Sequence, residues 1–418
     1  MDFGFSPEQQ QLRKDLIEFI RGNVTEQVIA EMDAAEDAME SSGQSRHLGQ
    51  RGPHVTELFE KISAHGWLGY SYPKEYGGQG GDRISQNIIE EEFLRVGINI
   101  SLAGSGAPAI MAAGTEEQKR YYLPKLIKME YYFALGFTEP HAGADLAALR
   151  CRAIRDGEHF VINGQKMYTT SAHFATHIYL MARTDPEAGR HDGISIFIFP
   201  MDTPGLTVRP LWTIQNNPRA PRGTCYGDAR SNEVFFEDVR VHESTLLGRE
   251  NQGWRVGSMG LNLDRVGASR YLRSVRRDED IVNLLKTTDF GGYSPASDTA
   301  IRDKVAELWI EAQVCRLMTL RSMSIVERGG QFSYEGSAEK VWSPEHGVRT
   351  TEAITQMLGP YAQLLNGSPF AVEKGVFAHN TMGAFQSGIN HGSVQIMRDQ
   401  VAKRGLEMPS MRRAPKSK

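Results

Sequence analysis

The 418-residue sequence predicts an α+β protein built in three successive parts, helical, then β, then helical again. Apolar residues recur at helical spacing through the first third. Short β-branched and aromatic runs separated by Asp-Gly, Asn-Gly and Pro-Gly turns fill 133–247, with spacing typical of a barrel or sandwich. The helical period returns in long segments from Gly253 onward. The divisions expected are 1–132, 133–247, 248–405 and a basic tail at 406–418.

Ser6-Pro7-Glu8 is a helix start: Ser6 can cap and Pro7 suits the first turn, and Leu12, Leu16, Ile17, Phe19 and Ile20 follow at helical spacing. Residues 31–52 are polar and contain Gly and Ser, so an excursion or loop is expected. Helices are expected over 55–68, ending before Tyr72-Pro73 and the turn cluster GGQGG, over 84–96, and over 116–129 with an interruption at Pro124. FALGF, HFVING, THIYLMART, GISIFIFPM and NEVFFEDVRV read as strands. The last part reads as helices near 254–286, 300–328, 347–358 and 386–404.

Composition narrows the function. Hydrophobic residues at 40% and charged residues at 23% suit an ordinary globular protein. A net charge of −4 provides no basic field to gather phosphates, so nucleic acid is not the expected partner. Cys151, Cys225 and Cys315 form no CxxC pair, which implies neither a disulfide framework nor a zinc site and fits a reducing, cytoplasmic setting. The start MDFGFSPEQQQLRKDL lacks an apolar targeting core, and no apolar run reaches the roughly 20 residues of a membrane span.

The chemistry concentrates in GFTEPHAGADLAALRCRAIRDGEHFVINGQKMYTTSA, residues 136–172. Thr138 to Asp145 is a Gly/Ala-rich turn whose amides and one hydroxyl can approach a planar or phosphate-bearing ligand. Tyr168-Thr169-Thr170 ends a strand with an aromatic face beside two hydroxyls. Each piece taken alone also fits an ordinary turn and strand.

Together they resemble the flavin-binding signature of the acyl-CoA dehydrogenase family, T-E-P-x-A-G-S-D, D-G, N-G-x-K and aromatic-x-T. HGWLGYSYPKEYGGQGG, GTEEQKRYYLPKLIKME, GISIFIFPMDTPGL, NEVFFEDVRVHESTLLGRENQGW and VQIMRDQVAKRGLEMP extend the resemblance over nearly the whole chain. It implies an all-α N-terminal domain, a central β-domain, a C-terminal four-helix bundle, FAD, and a dimer of dimers. It also implies removal of two hydrogens from an acyl-CoA thioester, with electrons passed to an electron-transferring flavoprotein or similar acceptor. Carried over by position, the flavin contacts fall on Phe137, Thr138, Gly143, Ala144, Tyr168, Thr169 and Thr170. His141 stands where glycine is common, and Ala144 where a serine usually meets both flavin and substrate.

The half of the flavin site that a neighbouring subunit normally supplies matches less well. Lys286 to Gly291 keeps Phe290, while Thr287 replaces a phosphate-pairing arginine and so removes a charge-assisted hydrogen bond. QMLGP keeps Gln356 and Gly359 with Pro360 in place of a second glycine, and Ser393 and Gln395 match late flavin contacts. A poor donor of this half-site is expected to bind substoichiometric FAD alone and to pair with a different homologous chain.

Many family members carry the catalytic glutamate where this chain has His391, in Asn390-His391-Gly392-Ser393. A second branch carries it on an earlier helix, where GLNLDRVGAS places Asp264 followed by Arg265, a position that borders substrate. Aspartate is one methylene shorter, an offset on the order of 1 Å, enough to cost about 100-fold without compensation. Asp264 and Arg265 also fit a structural ion pair, and His391 a helix-end residue. A functional His391 would instead resemble the flavin monooxygenase or oxidase branch of the fold. A catalytically silent partner subunit is the other alternative. The run Arg270, Arg273, Arg276 and Arg277 fits either CoA phosphates or a solvated helix face.

Overall fold

Ser6 accepts a hydrogen bond from the Gln9 amide while the Gln9 side chain accepts one from the Ser6 amide, so α1 (Pro7–Asn23) begins where its capping signal predicts. The computed structural model describes residues 4–38, 52–102, 104–213, 231–263, 266–288, 294–365, 367–390 and 392–409. The chain divides into two units, Met1–Asp264 and Arg265–Lys418.

In the first unit the expected excursion at 31–52 is helical as far as Ala38, in α2 (Glu26–Ala38); 39–51 lie outside the described residues. Val28 and Met32, one turn apart, are buried in the helical core and anchor α2. Glu31 ties it to α3 (Pro53–Ala64), whose N-cap Gly52 has no side chain to offer. The Glu31 carboxylate accepts from the amides of His54 at 3.2 Å and Val55 at 2.9 Å. Asp82 caps α4 (Arg83–Arg95) through the Ser85 amide at 2.7 Å. α5 (Ala107–Ala113) was not marked by the periodicity, because six of the seven residues of APAIMAA are apolar and no polar face sets a phase. α6 (Glu116–Ile127) runs through Pro124 without the expected interruption. The proline sits in the last turn, and the carbonyl that loses its donor belongs to exposed Arg120, where water can serve it.

The strands are β1 (Phe133–Gly136), β2 (Arg152–Asp156), β3 (His159–Lys166), β4 (His177–Arg183), β5 (Ile194–Pro200), β6 (Leu206–Leu211) and β7 (Ser231–His242). They form one curled sheet in the order β1-β4-β2-β3-β7-β6, with β5 on the other edge of β4. β1 pairs parallel with the first half of β4, and β2 meets the same edge of β4 further along, at Arg183. β2 and β6 bury few side chains and have no marked strand run in the sequence; ladder pairing with β3 and β7 defines them. β4 and β5 are buried along almost their whole length. Tyr179, Met181, Ile196 and Ile198 join the helical core, while Ile178, Leu180, Phe197 and Phe199 fill the interior of the curl. α7 (Gly253–Leu263) packs on β5 and α5.

In the second unit, α8 (Ala268–Thr287) starts after Gly267, whose φ of +146° favours glycine, so the helix expected over 254–286 is two helices. α9 (Thr299–Glu327) follows its Asp298 cap. α10 (Glu335–Leu358) begins twelve residues before the expected start at 347, because its first half buries polar side chains, including Glu339, Lys340 and His346, that carry no hydrophobic period. α8, α9 and α10 pack pairwise around Ile281, Leu285, Leu308 and Ile354. α11 (Val376–Gly383), α12 (Gln386–Ile389) and α13 (Val394–Gln400) complete the unit. The single helix expected over 386–404 is broken where Asn390 turns extended and Gly392 takes a φ of +95°. No helix among the described residues is long and apolar enough to cross a membrane.

Replacing Glu31 with alanine removes the acceptor for two amides at the start of α3. The substitution is expected to destabilise the protein by about 1 kcal/mol, read as a lowered urea midpoint, whereas Glu31→Gln retains part of the cap.

Candidate functional site

The turn Glu139–Ala142, between β1 and β2, closes through reciprocal backbone hydrogen bonds of 3.0 Å between its end residues. Beneath it Glu139 is 3% exposed and Lys166, the last residue of β3, is 0% exposed. Glu139 Oε1 accepts from Lys166 Nζ at 2.7 Å and from the Cys151 amide at 2.9 Å, and Oε2 accepts from the Arg150 amide at 2.6 Å. Lys166 Nζ also donates to the Phe137 carbonyl at 3.0 Å, and the Met167 amide donates to the Thr138 carbonyl at 2.9 Å. Burial pushes the Glu139 carboxyl up. The Lys166 charge, its hydrogen bond and the two amides outweigh burial and hold the carboxyl below its ordinary range. His141 lies on the exposed side of the turn with Nε2 3.3 Å from Glu139 Oε2.

This buried frame leaves the outer surface of the signature open. The amides of Gly143 and Ala144 have no hydrogen-bond partner among the described residues, and a Cβ at Gly143 would meet nothing within 4 Å. Ala144 is exposed and Thr138 half-buried; Phe137 packs its ring edge-on to Tyr179 at 5.5 Å. Asp145 is ion-paired with Arg190.

After β3 the chain passes through two non-glycine residues in the left-handed region, Tyr168 at φ +54° and Ser171 at +61°. Tyr168 is 57% exposed, so this left-handed backbone presents an aromatic ring outward. Thr169 between them is pinned by the β7 residue Asn232: its amide donates to the Asn232 carbonyl at 3.0 Å and its carbonyl accepts from Asn232 Nδ2 at 3.1 Å. The Thr169 Oγ1 is buried without a hydrogen-bond partner among the described residues. Thr170 is half-buried beside it. The exposed ring and the two unserved amides form a surface that fits a planar cofactor with a hydrogen-bonding edge, while the Thr169 hydroxyl stays beneath it in the interior.

In the second unit Gln356 and Gly359 lie together on a cleft of about 420 Å³ between the end of α10 and the start of α9. Ser393 caps α13, accepting from the Ile396 amide at 3.4 Å, and Gln395 is exposed on that helix. Asp264, Arg265, Phe290 and His391 lie outside the described residues, as do Cys225 and the tail from 410 onward. Glu139 and Lys166 fall within the sequence motifs but nothing local reveals their pairing, and Asn232 carries no sequence signal of its own. The signal for the first two was a glutamate and a lysine spaced across a turn and a strand that otherwise bury apolar residues.

Matches to known proteins cover nearly the whole chain. Residues 6–130, 134–239 and 251–406 match, respectively, the N-terminal, middle and C-terminal domains of acyl-CoA dehydrogenase. Acyl-CoA dehydrogenase FadE29 of Mycobacterium tuberculosis is 30% identical over 423 residues, 99% of this chain and 100% of the relative. Among solved structures, the Tcur3481-Tcur3483 steroid ACAD superposes with a TM-score of 0.79 at 30% identity, covering 98% of this chain and 100% of that one. The ChsE4-ChsE5 complex from Mycobacterium tuberculosis gives 0.78 at 28% identity, with the same coverage.

Replacing Lys166 with methionine strands the Glu139 carboxylate in the interior and is expected to cost about 3–5 kcal/mol at neutral pH, with Lys166→Met/Glu139→Gln recovering part of the loss. Because the folded-state pKa of Glu139 is depressed, its contribution is present above the ordinary carboxylate range and lost as pH falls through the depressed value. Urea midpoints against pH are therefore expected to fall more steeply in acid for the unsubstituted protein than for Glu139→Gln.

Proposed function

The chain belongs to the acyl-CoA dehydrogenase family, FAD-dependent oxidoreductases acting on acyl-CoA, and from that premise we propose that it introduces an α,β double bond into an acyl-CoA thioester with Asp264 as the base. The observation that carries this reading is the arrangement on the Glu139–Lys166 frame, where exposed Tyr168 and the free amides of Gly143 and Ala144 fit FAD. Phe137, Thr138 and Thr170 complete this wall, and Gln356, Gly359, Ser393 and Gln395, with Phe290, belong to the half supplied by a facing subunit.

In the proposed reaction the Asp264 carboxylate takes the proton from the carbon α to the thioester carbonyl, and the β-hydrogen leaves as hydride as the new double bond forms. FAD, when bound against Tyr168, Gly143 and Ala144, would supply the two-electron oxidant that takes up this hydride. Arg265 borders the substrate and holds a positive charge next to the base. Ala144 leaves room where a hydroxyl would otherwise touch both flavin and substrate. The electrons go on to an electron-transferring flavoprotein or a similar acceptor, and the working assembly is a dimer of dimers of identical or homologous chains.

A second reading, a silent partner subunit in a heteromer, draws support from the two-component make-up named for the Tcur3481-Tcur3483 and ChsE4-ChsE5 structures. Because the first of these is a steroid ACAD, a steroid acyl-CoA is the first substrate class to try beside straight-chain thioesters.

The test is anaerobic loss of flavin absorbance on adding acyl-CoAs to the full assembly. Asp264→Asn is expected to slow this step by about 10²- to 10⁴-fold while FAD stays bound, and His391→Gln to change it only a few-fold. Full activity of the Asp264→Asn assembly would assign the chemistry to a partner chain. Rapid reoxidation by oxygen with a hydroxylated product would favour the His391 alternative.

A further inference from the structure

We infer that Lys304 supplies the cation for a diphosphate bound in the cleft beside Gln356 and Gly359, replacing the arginine that Thr287 has displaced. The inference rests on the reading of the chain as an FAD enzyme whose cofactor lies against a facing subunit. It reverses the sequence-based expectation that this chain is a poor donor of that half-site.

Thr287 itself is committed elsewhere: its hydroxyl donates to the carbonyls of Asn283 at 3.0 Å and Leu284 at 3.2 Å, back onto α8. The cleft lies one helix further on, and Lys304 on α9 is part of its wall, while Lys286 and Thr287 are not. Lys304 Nζ meets Glu307 at 2.8 Å, with the two side chains 37% and 59% exposed. An exposed pair of this kind contributes little, so the ammonium can exchange Glu307 for a phosphate oxygen at small cost. The other charge on the wall, Asp298, accepts from the Ala300 amide at 2.8 Å as the cap of α9.

The remaining wall suits the rest of a dinucleotide. Ile301, Ala353, Met357 and Leu358 give an apolar side for a planar base, and the volume lies within the range of small-molecule sites. Gly359 holds a φ of +53° with ψ −130°, and a Cβ there would meet nothing within 4 Å. Glycine is therefore required by the backbone, and the space above it is open for close approach by a ligand.

The full-length assembly, stripped of flavin, is titrated with FAD, ADP and adenosine by calorimetry. Lys304→Gln is expected to weaken FAD and ADP about 10-fold and to leave adenosine, which has no phosphate, unchanged. Glu307→Gln frees the lysine and removes a like charge from the ligand, so it is expected to tighten FAD and ADP; a merely structural role for the pair would not produce this opposite sign. Unchanged FAD and ADP affinity in Lys304→Gln, or a loss confined to Lys286→Gln, overturns the assignment. Failure of the unsubstituted assembly to bind FAD overturns the flavin reading itself.

Discussion

The buried ion pair between Glu139 and Lys166 is the constraint around which the candidate flavin surface is built. It joins three points of the chain: the end of β1 through the Phe137 carbonyl, the approach to β2 through the Arg150 and Cys151 amides, and the end of β3 through Lys166 itself. Removing two charges from water is costly, and the arrangement offsets that cost with three donors on one carboxylate. Because the frame takes its hydrogen bonds from below, the chain just past the turn can keep the Gly143 and Ala144 amides unserved by the protein. The signature turn is held rigidly from inside and left open outside.

The sheet gives that frame its position. β4 and β5 carry near-continuous apolar runs because each separates two cores, with alternate side chains entering the helical cluster and the interior of the curl. The first unit therefore has one sheet covered on both sides at its centre. The ends of β1 and β3, where the signature lies, are fixed by packing on either side of that centre rather than by the turn residues alone. Thr169 shows the consequence, since Asn232 of β7 clamps both its amide and its carbonyl between two left-handed residues.

Element type was legible where a local signal had a phase. The capped α1, the turn-bounded strands β3, β4, β5 and β7, and the long α9 all fall where spacing predicted them. The reading faltered where stability comes from distant partners. The α2–α3 junction depends on Glu31 reaching across the loop, β2 and β6 depend on ladder neighbours, and the first half of α10 buries polar side chains against α8 and α9. Breaks at Gly267 and Gly392 were hidden because a periodicity count passes over one glycine without registering its dihedral angle.

By itself the sequence determined the family and the order of the three parts, because conserved-type turns and apolar periods are short-range patterns that survive as text. It also named the signature residues and the departures at Ala144, Thr287 and Pro360. Only the tertiary structure decided what those residues do: that Glu139 and Lys166 form a buried support, that Ser393 is used as a helix cap, and that Thr287 turns back onto its own helix while Lys304 reaches the cleft. The physical reason is that charge pairing, desolvation and open space depend on distances between residues far apart in the chain, and no local pattern encodes them.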